Sequence, residues 1–537
     1  MVIKDNLKSL VKKALIATGV ENAVFNIENP NDFKLGDFST NVAIKYREKK
    51  DDIFSYIKEN KLPEIERVEM VGPGFINFYL SKEFFRKSLG EIIEKRDSFG
   101  KNEIAKNLRV MIEHTDPNPF KEFHIGHFMP NVIGSTIARI FEWNGALVKQ
   151  VSYQGDVGVH VAKAVWAMLH GSKLMVAYST GNKAYEENLE AKKEIDDLNK
   201  KIYQKSDPDV NNIYEDGRKK SLEYFEGIYK KIDTKFDYYF FESETAPLGK
   251  KIVEENLGKV FEESDGAIVF KGEKYDPTLH TRVFINSHGI STYEAKDLGN
   301  AKNKQDVWPH DISIVVTGNE QKDYFRVVLS ALTQIYPELA NKTKHLSHGM
   351  LRLSTGKMSS RTGNVITAEE LINDVKEKVK GDEHVAVGAI KYMILRQGIG
   401  QDIIFDFEKS VSTEGDSGVY LQYAHARACS ILIKKELGNS NKQPASTPID
   451  NYSYGTRDIE KLLYIFPDIV LRAGEDLAPN YITTYLTKLA GAFNSFYANE
   501  QVLNTSDESY KLMIVEAFKI TMKNGLNILG IPAPEKM

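Results

Sequence analysis

Apolar residues recur with helical spacing at both ends of the chain and gather into short strand-like runs between them. From Lys4 to Ala17, Leu7, Leu10, Val11 and Leu15 fall three or four apart, which predicts an amphipathic helix. Glu69 to Leu80 reads as two short strands broken at Gly72-Pro73-Gly74, a turn signature. Val110, Met111 and Ile112 give a buried-strand signal. Pro117 and Pro119 then forbid helix and push Asp116 and Asn118 toward extended geometry. Val132, Ile133, Ile137, Ile140 and Phe141 share a helical face that Asn144-Gly145 is expected to end as a left-handed cap. Ala146 to Val151 reads as a second strand. Strand, helix and strand in about 45 residues make a βαβ unit, the building block of a parallel sheet.

Further along, residues 183 to 237 are rich in Lys, Glu and Asp and predict a solvated helical insertion. Ile312 to Thr317 is a strand that leads through Gly318-Asn319-Glu320 into a helix. From about residue 385 the pattern is helical to the end, with stripes at Leu462, Ile465, Ile469 and Leu471 and at Tyr485, Leu486, Leu489 and Phe493. Residues 438 to 452 read as a polar loop. The expected division is an α/β unit over 1–105, a parallel-sheet core over 106–384 with its insertion near 165–245, and a helical unit over 385–537.

Composition narrows the class. With 537 residues the chain is too long for one compact core, and 42% hydrophobic with 27% charged residues is an ordinary globular balance. No apolar run approaches a membrane span, and the amphipathic N-terminus lacks the features of a signal peptide. A single cysteine, Cys429, excludes a disulfide framework and a zinc site built on several thiolates, and suggests the cytoplasm. The net charge of −4 speaks against a dedicated nucleic-acid binder, but 71 Lys and Arg residues suffice for a local basic patch.

Two motifs carry chemistry. His124-Ile125-Gly126-His127 stands at the start of the βαβ helix, where free N–H groups and the positive dipole end suit phosphate. Two imidazoles there can donate to phosphate oxygens and to charge developing at the α-phosphorus. Gly126 leaves room for adenine against the backbone, and Lys121 adds a cationic donor three residues upstream. Zinc is the poorer reading, since the spacing is not His-Glu-x-x-His. The second motif, Gly356-Lys357-Met358-Ser359-Ser360-Arg361, is Gly-bounded and rich in donors able to wrap a triphosphate. Alone it reads equally well as a solvated basic loop.

Together, and in this order, the two motifs resemble the signatures of class I aminoacyl-tRNA synthetases, and the surrounding blocks resemble the arginine-specific family over nearly the whole chain. These blocks include Gly72-Pro73-Gly74-Phe75-Ile76-Asn77, Asp116-Pro117-Asn118, Tyr153-Gln154-Gly155-Asp156, Phe241-Glu242-Ser243, Thr292-Tyr293 with Asp297, His348-Gly349-Met350, Tyr423-Ala424-His425-Ala426-Arg427 and Phe493-Asn494-Ser495-Phe496-Tyr497. The resemblance implies a multidomain α/β protein: a Rossmann-type parallel-sheet catalytic core, an N-terminal α/β tRNA-binding domain and a C-terminal all-α anticodon-binding domain. It implies activation of L-arginine by ATP with Mg²⁺, transfer to tRNA, and a monomer without protein-bound zinc.

Residue by residue, the family pattern assigns ATP to His124, Gly126, His127, Gly349, Met350, Lys357, Met358, Ser359 and Ser360. It assigns arginine to Asp116, Pro117, Asn118, His127, Glu242, Tyr293, Asp297 and Gln321. A planar guanidinium wants carboxylates placed for bidentate contact, which suits Glu242 and Asp297. Asn77, Tyr423, Arg427, Asn494 and Tyr497 are the expected tRNA contacts. Four places depart from the pattern. Phe128-Met129-Pro130 follows the first signature where a small or basic polar stretch is common, so the helix is expected either to begin near Phe128 or to be kinked at Pro130. Ser360 stands where a second signature lysine is usual, so Lys121 and Lys357 are expected to share the triphosphate charge. Asp116 replaces a more usual serine, and Tyr324 a frequent histidine. Two rival readings remain: another nucleotidyl-transferring enzyme, such as a small-molecule adenylyltransferase or a synthetase for another amino acid, and a non-catalytic RNA-binding or regulatory paralogue.

Overall fold

Five parallel strands form the centre of the molecule, and their order explains where a ligand can bind. The computed structural model describes residues 2–30, 32–353, 366–438 and 458–537. In the N-terminal unit, strands β1 (Ile27–Glu28), β2 (Phe38–Thr40), β3 (Ile65–Val71) and β4 (Phe75–Leu80) pair antiparallel in the order β1-β2-β4-β3. The helix Val2–Ala17 covers this sheet with Leu7, Leu10, Val11 and Leu15, all buried as the sequence pattern predicts.

The central sheet holds β5 (Arg109–Glu113), β6 (Leu147–Gln154), β7 (Tyr238–Phe241), β11 (Ile312–Gly318) and β12 (Thr343–His348) in the order β12-β11-β5-β6-β7. Every neighbouring pair is parallel. The chain runs outward from β5 to β6 and β7, then returns to the other side of β5 for β11 and β12. That reversal opens a crevice at the carboxyl ends of β5 and β11. Between β7 and β11 lies a small antiparallel sheet of β8 (Glu262–Ser264), β9 (Ala267–Lys271) and β10 (Thr281–Ile285). The charged insertion forms the helices Leu174–Glu187, Leu189–Gln204 and Pro208–Lys231.

The signature helix Ile125–Trp143 leads from β5 to β6, and Asn144 and Gly145 close it with Gly145 at φ +93°. It is buried all round rather than on one stripe, because the sheet lies on one side and the C-terminal helices on the other. Pro130 is its sixth residue, beyond the first turn, so no amide is available there to bond the Gly126 carbonyl.

Two local expectations are corrected. Ile403–Phe405 is a strand, β14, inside the stretch read as helical, and it pairs parallel with β13 (Leu351–Leu353). In the helix Asp458–Glu475 the buried ridge is Ile459, Leu462, Leu463, Phe466, Val470 and Ala473, which keeps Leu462 of the predicted stripe but leaves Ile465, Ile469 and Leu471 half-buried beside it, while Tyr485, Leu486, Leu489 and Phe493 are buried as expected. The hydrophobic core runs unbroken from the signature helix into these helices. Phe466 packs against Phe99 and Tyr485 with ring centroids 5.8 and 5.6 Å apart. The buried Lys391 ammonium donates to the Ile232 and Gly530 carbonyls, both at 2.7 Å, tying the end of the insertion to the C-terminal tail. Among the described residues no helix is long and apolar enough to cross a membrane.

Candidate active site

All five parallel strands send residues into one cleft of about 940 Å³ at their carboxyl ends. Glu113 ends β5 and Thr115 and Asp116 follow it, while Tyr153 lies near the end of β6 and Gly155 follows it. Glu242 follows β7, Gly318 ends β11 and Gln321 lies beyond it, and His348 ends β12 with Gly349 and Met350 after it. A cleft of this size suits a nucleotide together with a small polar ligand.

At one end stand the two signature histidines. His124 is the N-cap of the signature helix, not a member of it, and its ring stacks on His127 with centroids 3.8 Å apart. His124 Nδ1 accepts from the Gly126 amide at 3.1 Å, and His127 Nδ1 accepts from the His124 amide at 3.4 Å. A Cβ on Gly126 would lie 2.8 Å from the His124 ring, so the glycine lets this fold-back form. That is a nearer reason for Gly126 than room for adenine. Burial first, and then Lys121, lowers His124 to about 4, and burial holds His127 well below the ordinary imidazole range. Both rings are therefore neutral at pH 7, with the proton on Nε2, and act as donors. The strand-like bridge between His124 and Thr367, with the Ile125 amide on the Ile366 carbonyl at 3.1 Å, brings the chain beyond residue 365 to this motif.

Carboxylates gather at the other end. Glu242 opens the helix Glu242–Glu255, whose first turn is anchored by buried Asp156. Asp156 accepts from the Ser243 amide at 2.9 Å and hydroxyl at 2.7 Å, and from Arg218 of the insertion at 2.9 Å. The Lys296 ammonium donates to Glu242 Oε2 at 2.6 Å. Burial raises the Glu242 carboxyl and Lys296 opposes it. Asp297 accepts from the Tyr324 hydroxyl. Burial raises Asp297 to about 8, the Tyr324 hydrogen bond pulls it down, and nearby Glu113 and Glu242 add to the rise. A Cβ on Gly155 would stand 2.4 Å from Asn118 Oδ1 and 3.2 Å from Glu242 Oε1, so only glycine keeps the space between these two groups open.

The loop after β5 is strained. Thr115 and Asp116 have φ of +81° and +44°, in the left-handed region that non-glycine residues avoid. Extended geometry at Asp116, expected from Pro117, is thus overruled. The Asp116 carboxylate accepts from the Tyr153 amide at 2.7 Å, locking the loop to the end of β6. Burial and Glu113 push the Asp116 carboxyl well up.

The cleft brings together Asp116, Asn118, His124, Gly126, His127, Glu242, Tyr293, Asp297, Gln321, Gly349 and Met350. Pro117 is buried behind the wall and does not line it. Lys121 is also set back, with its ammonium 4.5 Å from the Tyr178 ring of the insertion, and burial and Lys163 lower its pKa. Lys357, Met358, Ser359 and Ser360 lie outside the described residues. Leu353 and Ile366, on either side of that gap, both line the cleft. Tyr423, Arg427, Asn494 and Tyr497 cluster on the C-terminal helices, the guanidinium donating to Asn494 at 2.8 Å between two tyrosine rings. Asn77 is only 3% exposed and accepts from Ser39 at 2.7 Å within the N-terminal sheet. Sequence reasoning singled out neither Gly155 nor Lys296 as a site residue. The Tyr-Gln-Gly-Asp block signalled the first, while nothing in the local pattern signals a lysine folded back on a carboxylate from another helix.

Comparison with known proteins extends over all three regions. Residues 5–80 match the arginyl tRNA synthetase N terminal domain, residues 88–407 the class I (R) tRNA synthetase catalytic domain, and residues 421–537 the DALR anticodon binding domain. The chain is similar to an arginine–tRNA ligase of Borreliella burgdorferi, 30% identical over 100% of this chain and 99% of the relative. A Clostridium acetobutylicum arginine–tRNA ligase is 31% identical over 88% of both chains. Among solved structures, Thermus thermophilus arginyl-tRNA synthetase superposes with a TM-score of 0.73 at 25% identity, covering 99% of this chain and 100% of that one.

Proposed function

The chain belongs to the arginyl-tRNA synthetase family and charges tRNA with arginine, and from that premise we propose that the cleft at the five strand ends performs both steps. One observation carries this reading: neutral, donor-type imidazoles at one end of the cleft and paired acids around Asn118 at the other. Arginine lies with its guanidinium toward Glu242 and Asp297, beside Tyr293. Its α-amino and α-carboxylate groups lie toward Asn118, Gln321 and His127.

In the first step a carboxylate oxygen of arginine bonds to the α-phosphorus in line, the bond to the bridging oxygen breaks, and pyrophosphate leaves. His124 and His127 donate from Nε2 to the oxygens on which charge grows. Lys121 and Lys357 share the charge of the triphosphate, in the absence of a lysine at position 360. Gly349 and Met350 border the nucleotide. In the second step the terminal ribose hydroxyl of tRNA attacks the acyl carbon and AMP departs. The protein's work is positioning and charge stabilisation rather than covalent chemistry.

Mg²⁺ enters with ATP as part of the substrate, held by phosphate oxygens. Among the described residues no group of three or more His, Cys, Asp or Glu side chains is placed to hold a metal ion. The tyrosines around Arg427 and Asn494 are candidates to stack anticodon-loop bases. We extend the reading to a cytoplasmic monomer divided at 1–105, 106–384 and 385–537.

The test is ATP–pyrophosphate exchange with purified protein, arginine and tRNA. Exchange is expected with arginine, and not with lysine or glutamate in its place. Exchange without any dependence on tRNA would remove the family's requirement for bound tRNA from this chain. Lys121→Ala and Lys357→Ala are each expected to impair exchange. Lys121→Ala at the wild-type rate, with Lys357→Ala inactive, would end the charge-sharing reading.

A further inference from the structure

Behind the wall of the cleft lies a cation that is not among the residues lining it. Lys296 sits 2.6 Å from Glu242 Oε2, with side-chain exposures of 6% and 8% for the pair. The rings of Tyr293 and Tyr203 stand over its ammonium at 5.0 and 6.0 Å. Tyr203 belongs to the insertion helix Leu189–Gln204, so the insertion closes the box from outside.

This arrangement has a geometric and an electrostatic consequence. Oε2 is committed to Lys296, so Glu242 offers the cleft Oε1, the oxygen flanked by Gly155 and Asn118. A fork of two guanidinium N–H groups on Glu242, the arrangement expected from the sequence, would have to share Oε2 with the Lys296 ammonium. A guanidinium that spans Glu242 and Asp297 needs only the free Oε1. Electrostatically, burial drives Glu242 toward its protonated form, and Lys296 is the largest force against it, while Lys121 helps and Asp156 opposes. A protonated Glu242 would offer an O–H donor, which suits a carbonyl oxygen and not a guanidinium.

We propose that Lys296 is a positioning residue for amino-acid specificity, holding Glu242 so that a single carboxylate oxygen meets the guanidinium and the uncharged urea analogue is refused. The inference rests on the assignment of Glu242 and Asp297 as the guanidinium site. Citrulline, which carries a carbonyl oxygen where arginine has a nitrogen, is the probe.

Aminoacylation kinetics on the full chain test it, with Lys296→Met, Lys296→Arg and Glu242→Gln. Lys296→Met is expected to raise the arginine KM at least about thirtyfold, the loss typical of removing one partner of a buried charge pair. KM for ATP and tRNA should stay near wild type, and the arginine-to-citrulline ratio of kcat/KM should narrow. Lys296→Arg should restore most of that ratio. An unchanged ratio in Lys296→Met, or an equal rise of all three KM values, overturns the proposal. If Lys296→Met does not fold, Tyr203→Leu removes the ring that stands over the ammonium from the insertion side and should narrow the ratio by a smaller factor, with an unchanged ratio again counting against it. If Glu242→Gln leaves the arginine KM unchanged, the guanidinium site itself is misassigned. If Glu242→Gln is damaging and Lys296→Met is silent, only the role of Lys296 falls.

Discussion

Two buried lysine–carboxylate pairs hang from one helix and do different things. The helix Tyr293–Val307 carries Lys296 on Glu242 at 2.6 Å and, two turns later, Lys304 on Glu113 at 2.7 Å. Residues 296, 300 and 304 recur every fourth position, so one face of the helix meets the strand ends. Glu113 Oε2 receives a second donor, the Asn300 amide at 2.8 Å, so the scaffold answers its charge twice. Glu242 is answered once and keeps its other oxygen beside Gly155 and Asn118. Burial and ion pairing are therefore shared by Glu113 and by Glu242, the proposed guanidinium ligand. What separates them is how many donors the fold itself supplies, two on Glu113 and one on Glu242.

The contrast predicts its largest effect on stability at the framework pair. Lys304→Met leaves the buried Glu113 carboxyl without its ammonium partner, and should destabilise the protein by about 3–5 kcal/mol. Denaturant unfolding measures this, and a loss near that of a surface substitution would put the two pairs in one class.

At the binding pair the expected damage is to substrate affinity. Gly155→Ala places a methyl group against Asn118 and Glu242 Oε1. It should raise the arginine KM roughly tenfold or more, the effect of about 1–3 kcal/mol of overpacking, with the ATP KM near wild type. Equal changes in both would mean that the space between Asn118 and Glu242 is not part of the arginine site.

Asp297 lies between the two pairs, and its titration sharpens the distinction. Its pKa in the folded protein, about 8, is above its unfolded value, so the contribution to stability is present in acid and lost as pH rises toward 8. Guanidinium binding needs the carboxylate, so arginine binding at pH 7 should release about one proton from this site. Calorimetry in two buffers of different ionisation enthalpy reads the release. Tyr324→Phe removes the hydrogen bond that favours the charged form and should shift the pH dependence of arginine binding upward. Binding at pH 7 without proton release would show Asp297 already ionised.

The smallest effect belongs to a third pair on the Glu242 helix. Lys251 and Glu255 are exposed, 3.8 Å apart, and Lys251→Ala should change stability by less than about 0.5 kcal/mol. A larger value would mean that proximity alone, rather than burial and donor count, ranks these pairs.

Much of the frame was legible in the chain because it depends on local periodicity. The N-terminal helix, the hairpin around Gly72-Pro73-Gly74, the signature helix with its Gly145 end and the helical C-terminal region follow from spacings of two or three to four residues. Where two long-range effects compete, the local pattern failed. Asp116 takes a left-handed backbone because Tyr153 on the next strand holds its carboxylate. Ile403–Phe405 becomes a strand because β13 offers it a partner. In the helix Asp458–Glu475 Leu462 is buried as predicted, but Ile465, Ile469 and Leu471 give way to Leu463, Phe466 and Val470 because that helix packs on four others at once.

By itself the sequence determined the order of elements, the two signatures and, through resemblance, the residues to examine around Glu242, Asp297 and His124. These are properties of neighbours along the chain, and short-range spacing suffices to express them. The tertiary structure alone decided that His124 caps the helix and stacks on His127, and that Lys296 occupies one oxygen of Glu242. It also decided that Tyr324 reaches Asp297 from another helix. Protonation and the direction of a lone pair depend on what surrounds a group in space, and that is settled only when residues far apart in the chain are packed together.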